Sequence, residues 1–170
     1  LYGCTIRMFE KIFKKFNIET FYYDFTDKDN IKKISEINPT LIWLESPTNP
    51  LLKILDIQEI CSEAKKNEIP VVVDNTFCTS IIQRPLELGA TISLISTTKL
   101  INGHSDALGG AVLTNDEEWQ EKMIFSQKAL GLHPSPFDCW LITRGLKTLP
   151  LRIEKQSKNA ELISEELLTN

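Results

Sequence analysis

A chain of 170 residues, 42% hydrophobic and 25% charged with a formal net charge of −4, has ordinary globular composition and enough length to bury one core. It offers no basic footprint for nucleic acid, and no apolar run approaches the ~20 residues of a membrane helix. The four cysteines, Cys4, Cys61, Cys78 and Cys139, form no C-x-x-C pair, so neither a metal site nor a disulfide framework is expected, and reduced thiols in a cytoplasmic protein are the simplest reading.

In chain order, Met8, Phe9, Ile12, Phe13 and Phe16 recur at helical spacing and predict an amphipathic helix over 5–17. Four short runs have strand length and composition: "ETFYYDF" (19–25), "TLIWLES" (40–46), "IPVVVDN" (69–75) and "TISLIST" (91–97). Val71 to Val73 form the continuous apolar run of a strand buried on both faces. A helix over 56–67 lies between two of these runs, with Asp56 and Glu59 spaced as a capping box and Ile57, Ile60, Cys61 and Ala64 on one face. "GGAVLTN" (109–115) suits one more strand, and 116–130 returns to helix with Trp119, Met123 and Leu130 on one side. From Pro136 onward the pattern is helical, interrupted by "RGLKTLP" (144–150). Trp43, Trp119 and Trp140 are expected to pack in the core. A start at Leu1 and a finish inside the helical "SKNAELISEELLTN" are what an internal fragment of a longer protein presents.

Strand, helix, strand in repetition predicts an α/β fold, a mostly parallel sheet with helices on both faces. Ligands of such folds collect beyond the carboxyl ends of the strands. Glu45, Ser46 and Asn49 close one predicted strand, Asp74 a second, and Ser96, Thr97, Thr98 and Lys99 a third. A lysine near the end of a buried strand needs a reason, because burial disfavours its charge. Its amine suits a Schiff base with a carbonyl cofactor. Pyridoxal phosphate asks for an amine, a carboxylate for its pyridine nitrogen and donors for its phosphate, roles that suit Lys99, Asp74, and Ser96 with Thr98. Each residue also has a plainer use. Asp74 before Asn75 suits an Asx turn, Ser96 and Thr98 suit a helix cap, and Lys99 suits a solvated loop. His104 and Asp106 in "GHSD" read as a turn held by side-chain hydrogen bonds, with no catalytic role.

The segments "LYGCTIRMF", "LESPTNPLLKILDI", "VVVDNTF", "QRPLELGA", "STTKLINGHSD", "SPFDCWL" and "RGLKTLPLR" resemble, in the same order, landmarks of the Cys/Met metabolism enzymes that depend on pyridoxal phosphate. That family includes cystathionine γ-synthases, γ-lyases and β-lyases, methionine γ-lyases and sulfhydrylases. The resemblance implies that Lys99 is the lysine that carries the cofactor and shuttles protons. It makes Asp74 the partner of the pyridine nitrogen. Tyr2 matches a tyrosine that stacks on the cofactor ring and serves as acid or base, and Ser96 and Thr98 match phosphate contacts. Asn49 matches an asparagine near the ring hydroxyl, and Arg7 a position associated with substrate.

The fold implied is aspartate-aminotransferase-like, fold type I of these enzymes. Residues 1–150 would be the second half of its large, cofactor-binding domain and 151–170 the start of a helix leading to a small carboxyl-terminal domain. The glycine-rich phosphate turn, the phosphate contacts from neighbouring subunits and the arginine for the substrate carboxylate are then outside this sequence. The chain by itself is expected to bind cofactor poorly and to be inactive. The expected partners are a small amino-acid substrate and further copies in a homotetramer. Cys4 and "CTS" at 78–80 lean toward methionine γ-lyase, whereas Arg7 and "GHSD" lean toward cystathionine γ-synthase and γ-lyase. The expected reaction is γ-replacement or γ-elimination on a homoserine-derived or cystathionine substrate. The alternatives are methionine γ-lyase, O-acetylhomoserine sulfhydrylase or, in a different class, a non-catalytic paralogue.

Overall fold

The computed structural model describes residues 1–169; Asn170, the last residue of the expected terminal helix, lies outside the described residues. The first helix, α1 (Gly3–Lys11), is shorter than its apolar spacing predicts. Phe13–Phe16 tighten into a 3-10 turn that Asn17 ends at φ 60°, a left-handed conformation that asparagine tolerates. Residues 19–25 form no strand, although their composition is strand-like. A strand exists only as part of a ladder, and among the described residues this stretch has no strand neighbour; Phe21, Tyr22 and Tyr23 stay exposed.

Two short helices follow, α2 (Lys28–Lys32) and α3 (Ile34–Ile37), and then β1 (Ile42–Glu45). The crossover helix α4 (Ile57–Lys65) begins where Asp56 accepts a hydrogen bond from the Glu59 N–H at 2.9 Å, a cap that contributes about 1 kcal/mol. The return bond of a capping box is not made, because the Glu59 carboxylate accepts from Lys28 Nζ at 2.8 Å instead. Next come β2 (Val71–Asp74), the short α5 (Thr79–Ile82) and β3 (Ile92–Ile95). The sheet order is β1-β2-β3-β4, the first three strands parallel and β4 (Ala111–Leu113) antiparallel at the edge.

Ile57, Ile60, Cys61 and Ala64 of α4 meet Ile42, Leu44, Val71 and Val73 in the main core, which Ile31 and Ile34 extend. Alternation along β1 sends Trp43 to the other face, where its ring meets Phe9 of α1 edge-on at 5.5 Å. Helices thus cover both faces, as expected. Trp43 is half-buried, but Trp140 is 59% exposed and stacks on Phe137, so it is not a core residue. The helix α6 (Glu117–Ala129) has Trp119 and Met123 half-buried and Leu130 exposed beyond its end. Two helices complete the described chain, α7 (Pro136–Leu146) and α8 (Leu149–Thr169), with the expected break between them at residues 147–148. Leu149 and Ile153 of α8 pack with Ile95 and Ile101 in a second apolar cluster.

Candidate active site

Because β1, β2 and β3 are parallel and in register, Glu45, Asp74 and Leu94 lie side by side at one edge of the sheet. Beyond that edge opens a cleft of about 980 Å³, within the usual range for small-molecule sites. Tyr2, Asn49, Asp74, Ser96, Thr98 and Lys99 all line it; Arg7 does not.

Lys99 is not at a strand end. It sits inside a π-helical turn, Thr97–Ile101, which the Asn102 N–H closes onto the Thr97 carbonyl at 2.9 Å. The backbone departs from helix at Lys99 itself (φ −90°, ψ −119°), and such turns recur at functional sites. The side chain is exposed to the cleft, and among the described residues its Nζ has no hydrogen bond or ion pair. The burial that its place in the sequence suggests is therefore absent.

Asp74, half-buried at the end of β2, uses one oxygen locally. Its Oδ1 accepts from the Thr76 N–H (3.0 Å) and hydroxyl (2.6 Å), which is an Asx-type turn. The Thr76 hydroxyl in turn accepts from the Ser96 N–H at 2.9 Å, tying the end of β2 to the segment that carries Lys99. Among the described residues Oδ2 receives no hydrogen bond, which leaves it available in the cleft. The Asx-turn reading of Asp74 holds through Oδ1, while Oδ2 stays open to the cleft.

Ser96 and Thr98 differ. The Ser96 hydroxyl has no partner among the described residues. The Thr98 hydroxyl donates to the Gly109 carbonyl (3.2 Å) and accepts from the Gly109 N–H (2.9 Å), so contact with a phosphate would compete with that pairing. The Asn49 side chain has no partner among the described residues. The expected "GHSD" turn is present, with His104 Nδ1 2.7 Å from the Asn102 carbonyl and the Asn102 amide donating to Asp106 Oδ1 at 2.8 Å.

Near Tyr2 in sequence but outside the cleft lining, Arg7 Nη2 donates to Cys4 Sγ at 2.7 Å. The Tyr2 hydroxyl beside the sulfur, then Arg7, hold the Cys4 thiol below its ordinary pKa. The same contact acts in reverse on Tyr2: hydrogen bonding to Cys4 and the sulfur's negative charge raise the phenol, so Tyr2 keeps its proton through neutral pH.

Two residues that place this site are absent from the expected set. Glu45 is 5% exposed, and its carboxylate accepts from the Tyr2 N–H through Oε2 and from the Asn49 N–H through Oε1, both at 2.6 Å. It therefore fixes the backbone at two residues expected to contact cofactor. The signal for it was a carboxylate closing an apolar strand, "LIWLE", since buried carboxylates require partners. Thr76 gives no such signal, because its role appears only once β2 and β3 are neighbours.

The donor set fits pyridoxal phosphate: an amine, a carboxylate oxygen and a hydroxyl that have no partner among the described residues share one cleft. The family model described as "Cys/Met metabolism PLP-dependent enzyme", PLP being pyridoxal phosphate, matches residues 1–170. A cystathionine gamma-synthase of Mycobacterium leprae is 46% identical over 165 residues, 97% of this chain and 42% of that protein. A cystathionine gamma-lyase of Dictyostelium discoideum is 43% identical over 160 residues, 94% of this chain and 41% of that protein. The crystal structure of cystathionine gamma synthase from Xanthomonas oryzae pv. oryzae in complex with aminoacrylate and cysteine superposes with a TM-score of 0.95 at 41% identity, over 99% of this chain and 44% of that one. The chain spans less than half the length of each of these relatives.

Proposed function

This chain belongs to the Cys/Met metabolism family of enzymes that depend on pyridoxal phosphate, and we propose that the whole protein is a cystathionine γ-synthase or γ-lyase. It exchanges or eliminates the γ substituent of a homoserine-derived or cystathionine substrate. The observation that carries this reading is the unpaired Lys99 amine in one cleft with the free Oδ2 of Asp74, beyond the ends of three parallel strands. Relatives named as synthase and lyase support the choice of reaction.

In this reading Lys99 Nζ holds the cofactor, and Asp74 Oδ2 pairs with its pyridine nitrogen. The Ser96 hydroxyl would donate to its phosphate, and Asn49 and Tyr2, which line the same cleft, would hold its ring. Bound pyridoxal phosphate supplies an electron-withdrawing ring that takes up the electron pair left when the substrate's α-proton departs. Once the substrate's amine displaced it from the cofactor, the freed Lys99 Nζ would receive that proton and return one later in the reaction. The Tyr2 hydroxyl, whose pKa Cys4 raises further, would serve as a proton donor. Thr98 contributes to the phosphate site only where its pairing with Gly109 opens, and Arg7 contributes to substrate binding only where it leaves Cys4. A homotetramer in the cytoplasm, with an amino-acid substrate, completes the reading.

The test is an assay of the whole protein. Formation of cystathionine from an activated homoserine and cysteine identifies a synthase, and 2-oxobutanoate release from cystathionine identifies a γ-lyase; neither product with cofactor bound would refute the reading. One observation favours a second reading, methionine γ-lyase: Cys4 is held below its ordinary pKa by Tyr2, which lines the cleft, and by Arg7. Release of 2-oxobutanoate from methionine at a higher kcat/KM than from cystathionine would establish it.

A further inference from the structure

The π-turn that carries Lys99 ends abruptly. Gly103 turns away at φ +71°, so the Leu100, Ile101 and Asn102 carbonyls have no following helical N–H to accept from. One side chain, 52 residues away in sequence, takes two of them. Arg152 of α8 donates from Nη1 to the Leu100 carbonyl (2.7 Å) and from Nη2 to the Ile101 carbonyl (3.1 Å). The third carbonyl lies 2.7 Å from His104 Nδ1. Arg152 is itself aimed by two further bonds, Nη2 to the Gly145 carbonyl (2.8 Å) and Nε to the Thr148 hydroxyl (3.0 Å).

The surroundings are shaped around this contact. A Cβ at Gly103 would stand 2.1 Å from Arg152 Nη1, and one at Gly145 would stand 2.3 Å from the Asn102 carbonyl oxygen, so both positions must lack a side chain. Arg144 Nη2 donates to Asp106 Oδ2 at 2.9 Å, holding the loop that follows the turn. The neighbouring Ile153 packs with Ile95 and Ile101, which brings the Arg152 helix turn against β3 and the π-turn.

We infer that Arg152 is a positioning residue for Lys99: its forked guanidinium closes the carboxyl end of the π-turn and fixes where the amine enters the cleft. This gives the "RGLKTLPLR" segment a purpose, as a clamp on the lysine turn. A lysine cannot replace it, because a single ammonium does not reproduce the planar fork that reaches two adjacent carbonyls and the Gly145 carbonyl together. The inference rests on the reading of Lys99 as the cofactor-bearing residue.

The experiment compares the whole protein with its Arg152→Lys and Thr148→Val variants. Without cofactor, amide hydrogen exchange is followed at Asn102 and Gly103, whose N–H groups close the turn onto the Thr97 and Lys99 carbonyls. With pyridoxal phosphate, the visible absorption band, kcat and KM are measured. In Arg152→Lys the two amides should exchange at least about tenfold faster, as loss of one hydrogen bond to a charged donor implies. The visible band should move and kcat should fall while KM changes little. Thr148→Val, which removes the Nε partner and the hydroxyl's own bond to the Gly145 carbonyl, should give the same changes in smaller measure, and it decides the matter if Arg152→Lys does not fold. Unchanged exchange in a folded variant would overturn the inference. Faster exchange with band and kcat unchanged would also overturn it, by making Arg152 merely structural. A wild-type protein that carries no cofactor on Lys99 would refute the proposed function, a result distinct from either exchange outcome.

Discussion

Glu45→Gln is the most informative single perturbation of the site's framework. The substitution preserves shape, so it opens no cavity, but it replaces one carboxylate oxygen by an NH2 group. Glu45 uses both oxygens, each at 2.6 Å from a backbone N–H, at Tyr2 and at Asn49. Glutamine retains one acceptor and turns a donor toward the other N–H. A hydrogen bond to a charged group contributes about 1.5–3 kcal/mol, and leaving a buried donor unpaired adds to the loss, so the variant should be destabilised by about 2–4 kcal/mol. Urea unfolding of the whole protein measures this directly. Because the two amides belong to residues that line the cleft, affinity for pyridoxal phosphate should weaken as well. A loss below about 0.5 kcal/mol, the scale of an ordinary surface substitution, would mean that other acceptors serve those amides and that Glu45 does not hold the site together.

Asp74→Asn keeps an acceptor for Thr76 and so should leave folding nearly unchanged, yet it removes the negative charge proposed to pair with the ring nitrogen; kcat should fall at least about a hundredfold, the scale of a lost electrostatic contact, and near-normal turnover would refute the proposed role. Gly145→Ala should destabilise by about 1–3 kcal/mol in thermal or urea unfolding, against a helix propensity that favours alanine, because its Cβ would stand 2.3 Å from a backbone oxygen; a stabilised variant would contradict the close approach. Thiol alkylation followed by mass mapping across pH should show Cys4 reacting below the ordinary thiol range, since a lowered pKa exposes thiolate at lower pH, while burial pushes Cys61 up to about 11 and keeps it unreactive. Tyr2→Phe should move the Cys4 profile to higher pH, and an unmoved profile would remove Tyr2 as its main cause.

Much of this arrangement was legible in the chain because its causes are local. The Val71–Val73 run and the four apolar positions of α4 pointed to a buried parallel strand and one covering helix, since a continuous apolar run and helical spacing are direct consequences of burial on two faces and on one. Residues 19–25 misled because strand composition reports fitness for a ladder and not the presence of a neighbouring strand. Asp74 was visible as a polar group closing a strand and Lys99 as a polar group just beyond one, although its π-turn was not. The pairing of Thr98 with Gly109 was not visible either, because a hydroxyl's partner is set by tertiary approach. The hold of Arg152 on the π-turn was invisible for the same reason, as the two carbonyls it reaches there lie 52 and 51 residues away.

The central claim is that Lys99 carries pyridoxal phosphate. The whole protein should be incubated with the cofactor, its visible spectrum recorded, the sample reduced with borohydride and the modified peptide located by mass. The account predicts a pyridoxyl group on Lys99, and its absence from the Lys99→Ala variant. A folded wild-type protein that carries no label, or carries it on another lysine, would contradict the account.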